Sequence, residues 1–347
     1  MRPIHTLAAL AGLSLIAACS DPAPEPDAAD GPDAMEDAAA PRQAAEDTAQ
    51  ADADAETGAE TGAETETAGL PGVDIYIAPL SWVGNIPAIG TLTNATARPG
   101  YDNQPAFTED GTSFYFTSGD SEHTDIWRCS LDCTVRTQIT DTPDAGEYSP
   151  RPTPAGGALS YIYQAPGGYG GEVWLDAPDG GNARSASDVG PNGYYAFNAD
   201  MTRLAVFSLD EGFPLKVFGR FEDTGIVTAA EGIGRALYAA PDHDSVYFTL
   251  PREDGGFAVF ETGFDGATPE HRFDLPGETQ DYAVFTLPDG TDGFFAVDQN
   301  VLMTRTLDAP WHSVADLAVH DIDGVTRLAV SPDRRHIALV ANDPAGE

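Results

Sequence analysis

A turn-and-strand unit recurs along this chain at a spacing in the low forties, and few folds tolerate that. The clearest copy is Gln104 to Leu131, QPAFTEDGTSFYFTSGDSEHTDIWRCSL. A short apolar run, Pro105–Thr108, meets the turn Glu109-Asp110-Gly111. The apolar–aromatic run Ser113–Thr117 follows, then a polar loop, then Asp125-Ile126-Trp127-Arg128. Aromatic runs bounded by Asp-Gly and Ser/Gly clusters read as strands and turns. The turn recurs around Ala155, Asp200, Asp242, Asp289 and Asp333, at spacings of 45, 45, 42, 47 and 44 from Asp110 onward. An apolar strand follows each turn, as at Leu159–Tyr163, Leu204–Phe207, Val246–Leu250, Gly293–Val297 and Ile337–Ala341. Four strands per repeat at this period is the pattern of propeller blades, each too thin to bury both faces alone.

The expected fold is therefore all-β, a six-bladed β-propeller. The last repeat has only two strands before Glu347, and Asp74-Ile75-Tyr76-Ile77 with Gly90-Thr91-Leu92-Thr93 supplies a third and a fourth from the other end. A blade built from both termini closes the ring and hides its edge strands.

Leu92-Thr93-Asn94, then Pro99-Gly100-Tyr101-Asp102-Asn103 and Pro105, then Asp110-Gly111 and Asp125-Ile126-Trp127, resemble the WD40-like repeats of the TolB family. The resemblance spans residues 73–347 and is clearest in the first repeat; the second has Ala155 in place of the turn aspartate. It implies a propeller whose channel mouth receives a partner. The extra N-terminal α/β domain of that family has no room here, and no peptidase domain is expected after the repeats.

The stretch 1–18 carries one early base, Arg2, then an apolar run from Leu7 to Ala17, too short to span a bilayer and typical of a signal peptide. Leu15-Ile16-Ala17-Ala18-Cys19 resembles a bacterial lipobox, which implies cleavage before Cys19 and its acylation. Ser20 after the cysteine points by resemblance to outer-membrane sorting, facing the periplasm or the cell surface. Residues 20–69 hold fifteen acids against one base, Arg42, with no aromatic residue. Such a segment cannot bury enough apolar surface to offset its ordering entropy, so the linker 19–69 is expected to be a disordered tether. As a flexible coil, about 50 residues span roughly 40 Å.

Residues 70–347 form the expected propeller domain. Setting aside Arg2, Arg42 and the tail acids leaves 41 acids and 15 bases, with Lys216 the one lysine of the chain. That balance excludes nucleic acid as a partner, because no basic patch could neutralise phosphates. Cys129 and Cys133 flank Ser130-Leu131-Asp132 where one strand ends and the next begins. A three-residue hairpin sets them nearly opposite, so a disulfide is expected in an oxidising envelope, worth about 2 kcal/mol by loop entropy.

No Gly-x-Ser-x-Gly elbow, His-Glu-x-x-His, Walker loop or dinucleotide fingerprint occurs. Asp321-Ile322-Asp323-Gly324 and Asp289-Gly290-Thr291-Asp292 have calcium-like oxygen spacing that β-turns also produce. No cofactor is expected beyond a weak case for Ca²⁺. Eight residues before each repeat turn stand Asp102, Glu147, Asn192, Gly234, Asp281 and Val325, with Asp323 nearby. They are expected at the channel mouth, where converging acids would attract a cation or a basic segment. The leading expectation is a monomeric, lipid-anchored, non-enzymatic scaffold binding a protein or envelope ligand at that mouth. The alternative is a metal-dependent polysaccharide lyase or a lactonase-like hydrolase using the channel.

Overall fold

The computed structural model describes residues 72–119, 123–176, 184–187, 189–220 and 225–342. The assignments to 1–18, to Cys19 and to the tether 20–69 lie outside those residues. Among the described residues no helix is long and apolar enough to cross a membrane.

The described chain opens with β1 (Val73–Val83), β2 (Ile86–Ile89) and β3 (Thr93–Asn94). Antiparallel meanders follow. The first is β4 (Tyr101–Phe107), β5 (Ser113–Gly119), β6 (Thr124–Ser130) and β7 (Arg136–Gln138). The second is β8 (Gly146–Pro152), β9 (Leu159–Gln164), β10 (Glu172–Asp176) and β11 (Arg184–Ser185). The third is β12 (Asn192–Phe197), β13 (Arg203–Ser208), β14 (Leu215–Gly219) and β15 (Val227–Ala230). The fourth is β16 (Leu237–Ala239), β17 (Ser245–Pro251), β18 (Phe257–Gly263) and β19 (Glu270–Asp274). The fifth is β20 (Ala283–Thr286), β21 (Asp292–Asp298), β22 (Val301–Thr306) and β23 (His312–Asp316). After a single 3₁₀ turn, Leu317–His320, come β24 (Arg327–Val330) and β25 (His336–Asn342). β25 pairs with β24 on one side and antiparallel with β1 on the other, from Val73 opposite Asn342 to Pro79 opposite His336. β3 lies against β1.

Strand alternation explains the core. Phe114 and Phe116 of β5 are fully buried on one face, against Ile75, Ile77 and Val340. Tyr115 points the opposite way, towards Leu159 and Tyr161 of the next meander. The same arrangement places Tyr195 and Val206 on Ile162 and Val173, Phe248 on Phe207, and Phe294 on Tyr247. Each buried phenylalanine contributes about 1.5–3 kcal/mol. The hydrophobic contacts therefore lie between meanders, and the loops face solvent.

The repeat turns are held by their own side chains. Asp110 Oδ1 accepts Thr108 Oγ1 at 2.7 Å and the N–H of Thr112 at 3.1 Å. Those bonds, with Thr108 first and Thr112 second, hold the Asp110 carboxyl below its ordinary value of 3.8. Asp200 and Asp289 do the same with Thr202 and Thr291. At Ala155 the carboxylate is missing, and the turn is held by Gly156 N–H to the Thr153 carbonyl at 2.9 Å and by Thr153 Oγ1, which donates to the Ala158 carbonyl at 3.2 Å.

Cys129 and Cys133 are joined as a disulfide across the β6–β7 hairpin, with their Cα atoms 4.6 Å apart. The β1–β2 hairpin was not foreseen as an element. It lays Trp82 against Phe285 and Phe295, with ring centroids 5.5 and 6.2 Å away, and Trp82 Nε1 donates to the Arg334 carbonyl at 2.9 Å.

Candidate binding cavity

The first strands of the first two meanders each carry a bulge. Register shifts between Asn103 and Ala106 in β4, and between Tyr148 and Arg151 in β8. Gln104 and Ser149, 45 residues apart, sit there in the left-handed region, at φ 57° and 55°. Pro105 and Pro150 follow them; a proline lacks the N–H that a regular ladder would use, so a bulge suits it. Asn103 Oδ1 accepts the Gln104 N–H at 2.7 Å. Gln104 Oε1 in turn accepts Thr117 Oγ1 at 2.9 Å and the Ser149 N–H at 2.7 Å.

These bulges form part of the wall of a central cavity of about 260 Å³. Residues from the first strand of every group line it, and His243 and Pro332 of the repeat turns stand at its edge. His243 Nδ1–H donates to the Phe197 carbonyl at 3.1 Å, which ties that turn to the third meander.

Arginines mark the cavity. Arg151 places its guanidinium 5.4 Å from the Tyr195 ring centre and 5.2 Å from that of Tyr238. Its Nη2 donates to the Leu237 carbonyl at 3.0 Å, and among the described residues it enters no ion pair. Arg327 is buried, donating Nη1 to Asp281 Oδ1 at 3.1 Å and Nη2 to the Tyr194 hydroxyl at 2.5 Å. Asp281 Oδ2 also receives Arg235 Nη2 at 2.6 Å. Among the described residues lining the cavity there is no aspartate or glutamate.

The residues expected at the channel mouth are mostly inside the walls. Asp102 is fully buried; its Oδ1 accepts Arg98 Nη2 at 2.7 Å and Ser118 Oγ at 2.6 Å. Asn192 is equally buried and donates Nδ2 to the Val189 carbonyl at 2.5 Å. Asp281 is taken up by the two arginines. Asp323 is exposed and accepts Asn342 Nδ2 at 3.2 Å. Glu147 is buried, and its Oε2 accepts Thr140 Oγ1 at 2.7 Å. Burial raises its carboxyl from 4.5 to about 7, and the charge of Asp125 adds to that against the bonds from Thr142 and Thr140. The acids thus stitch strands together, and the open acidic rim expected from the sequence is not formed by these side chains. The cavity reaches the repeat turns at His243 and Pro332, whereas the residues expected at the mouth stand eight positions before those turns.

Among the described residues no three metal-ligating side chains come together. Asp289, of one calcium-like string, has Oδ1 engaged by Thr291 and Oδ2 by Asn85 Nδ2 at 2.6 Å. Arg151, Ser149, Tyr194 and Tyr238 were missed as site residues. The available signal was the pair Gln104-Pro105 and Ser149-Pro150, since proline inside a strand pattern marks a bulge.

No protein-family model and no curated protein matches the chain. Among solved structures, a TolB candidate from Agrobacterium tumefaciens is similar over 79% of this chain and 99% of its own, at 17% identity and a TM-score of 0.56. The chain has a TolB-like β-propeller fold. TolB from Acinetobacter baumannii matches at 10% identity and a TM-score of 0.49, over 78% of this chain and 65% of that one. An oligogalacturonate lyase from Vibrio parahaemolyticus matches at 11% identity and a TM-score of 0.42, over 79% of this chain and 99% of that one. At these identities the likeness of the TolB-like propeller to its neighbours is one of fold, and the site must be argued from this chain's own residues.

Proposed function

We propose that this chain is a lipid-anchored envelope scaffold whose propeller has six blades, closed by β1 against β25, and binds a partner protein or envelope ligand in its central cavity without chemical turnover. The observation that carries this reading is the cavity itself. Every group of strands contributes to its wall; its bulges are joined by a hydrogen bond between adjacent meanders, and its arginines are held by hydrogen bonds to more distant ones. Such a wall is preorganised, which reduces what must be ordered on binding. The lipobox-like Leu15–Cys19 and the acidic tether support an anchored domain held at a distance from the membrane.

The test is a cross-linked pull-down from cell envelopes with the parent protein and with Ala329→Trp, which fills the cavity from β24. A species captured by the parent and lost with the filled cavity, at unchanged circular dichroism and melting, is the expected result. Equal capture by both proteins moves binding away from the cavity.

A further inference from the structure

We infer that the central cavity recognises a carboxylate group, gripped by the Arg151 guanidinium and the Ser149 hydroxyl. This rests on the cavity being the binding site and specifies the chemistry of what enters it.

The charge distribution is the first observation. The chain has a formal net charge of −39, yet the described cavity lining contains two arginines and no acid. Arg327 already has a carboxylate, Asp281, and a phenol, Tyr194. Arg151 has one carbonyl and two aromatic faces. A guanidinium held beside low-dielectric rings without a counter-ion attracts an incoming anion more strongly than one in water.

Ser149 supplies the second observation, independent of charge. It is 95% buried, given its 5% exposure, it lines the cavity, and its Oγ has no hydrogen-bond partner. Buried hydroxyls nearly always have a partner. Ser149 Oγ is enclosed in the wall without one, and rotation about χ1 would bring it to an acceptor held in the cavity. The strained φ of 55° at Ser149, fixed by Gln104, is of the kind that accumulates at binding sites.

The ligand class follows from geometry. Aromatic rings lie near the Arg151 guanidinium and its Nη2 donates to the Leu237 carbonyl, which leaves Nε, Nη1 and the second Nη2 proton for a planar carboxylate. Among the described residues Arg151 enters no ion pair, which suits it to an incoming anion. The remaining wall includes Ala106, Ala283, Val284, Leu328 and Ala329, suited to a short hydrocarbon body. A free aliphatic acid and a glutamate side chain of a partner present the same group.

Isothermal titration calorimetry on the full chain separates these sources. The probes are sodium butyrate, the peptide acetyl-Gly-Glu-Gly-amide and its glutamine counterpart, against sodium chloride at equal ionic strength. Saturable binding of butyrate or of the glutamate peptide, absent for chloride and for the glutamine peptide, is expected. It should weaken about tenfold in Arg151→Met and several-fold in Ser149→Ala, in line with a charge-assisted and a neutral hydrogen bond. Butyrate alone identifies a small acid; the glutamate peptide identifies an acidic side chain. Absence of saturable binding by both carboxylates, or binding unchanged in Ser149→Ala, overturns the inference. Ser149→Ala decides alone if Arg151→Met fails to fold. A partner captured through the cavity while neither carboxylate binds would leave the scaffold reading standing and remove only this one.

Discussion

Gln104 Oε1 accepts the backbone N–H of Ser149 at 2.7 Å, so a side chain in one meander fixes a left-handed residue in the next. Gln104→Leu leaves that N–H without its acceptor in a largely buried place. A loss of about 2 kcal/mol in chemical denaturation is expected. Gln104→Glu keeps an acceptor and should lose clearly less at neutral pH. Equal losses in the two variants would mean that the bond itself contributes little.

Trp82 clips the β1–β2 hairpin onto the fifth meander through Phe285 and Phe295, and onto the β24–β25 turn through the Arg334 carbonyl. Trp82→Ala should destabilise by about 3 kcal/mol, the low end for aromatic truncation because the ring is only half-buried. Trp82→Phe, which keeps the ring contacts and drops the hydrogen bond, should recover most of it. Urea titrations followed by circular dichroism give both values.

Glu147 makes stability depend on pH. Its folded-state carboxyl titrates near 7, above its ordinary 4.5, because burial disfavours the charge. The folded protein therefore holds a proton that the unfolded chain releases above pH 4.5. That stabilising contribution is complete below pH 4.5 and is lost as pH rises through 7. Glu147→Gln removes the titration, so its melting temperature should exceed the parent's at pH 8, with the gap closing by pH 4. Parallel melting curves across that range would contradict the assignment. At the equivalent position of the first repeat, Asp102 is paired with Arg98 at 2.7 Å.

Closure is testable by deletion. Removing 22–66 should leave the melting temperature nearly unchanged, whereas removing 70–97 takes β1 away from β25 along seven paired positions and should unfold the domain. If the shorter core melts like the parent, the N-terminal strand is dispensable to the ring.

The recurrence of turn and strand was sufficient to read off the class of fold, because hydrophobic alternation at period two and a repeat in the low forties are local properties. The same holds for the turn aspartates and for Cys129 opposite Cys133 across a short hairpin. Proline at 105 and 150 marked the bulges, but not what they aim at. The site was different. Offsets from the turns placed Asp102, Glu147, Asn192 and Asp281 at one end of their strands, yet which way a side chain points there depends on the neighbouring meander. In the folded chain Arg98, Thr140, the Val189 carbonyl, Arg235 and Arg327 hold those residues in the walls. Arg327 and Tyr194 are 133 residues apart and meet only because the strands curl around one axis. Sequence therefore determined the repeat, which follows from short-range patterning. Tertiary structure alone decided that a strongly acidic chain presents arginine at its centre, because arginines of distant strands take up Asp281 and, among the described residues, Arg151 enters no ion pair.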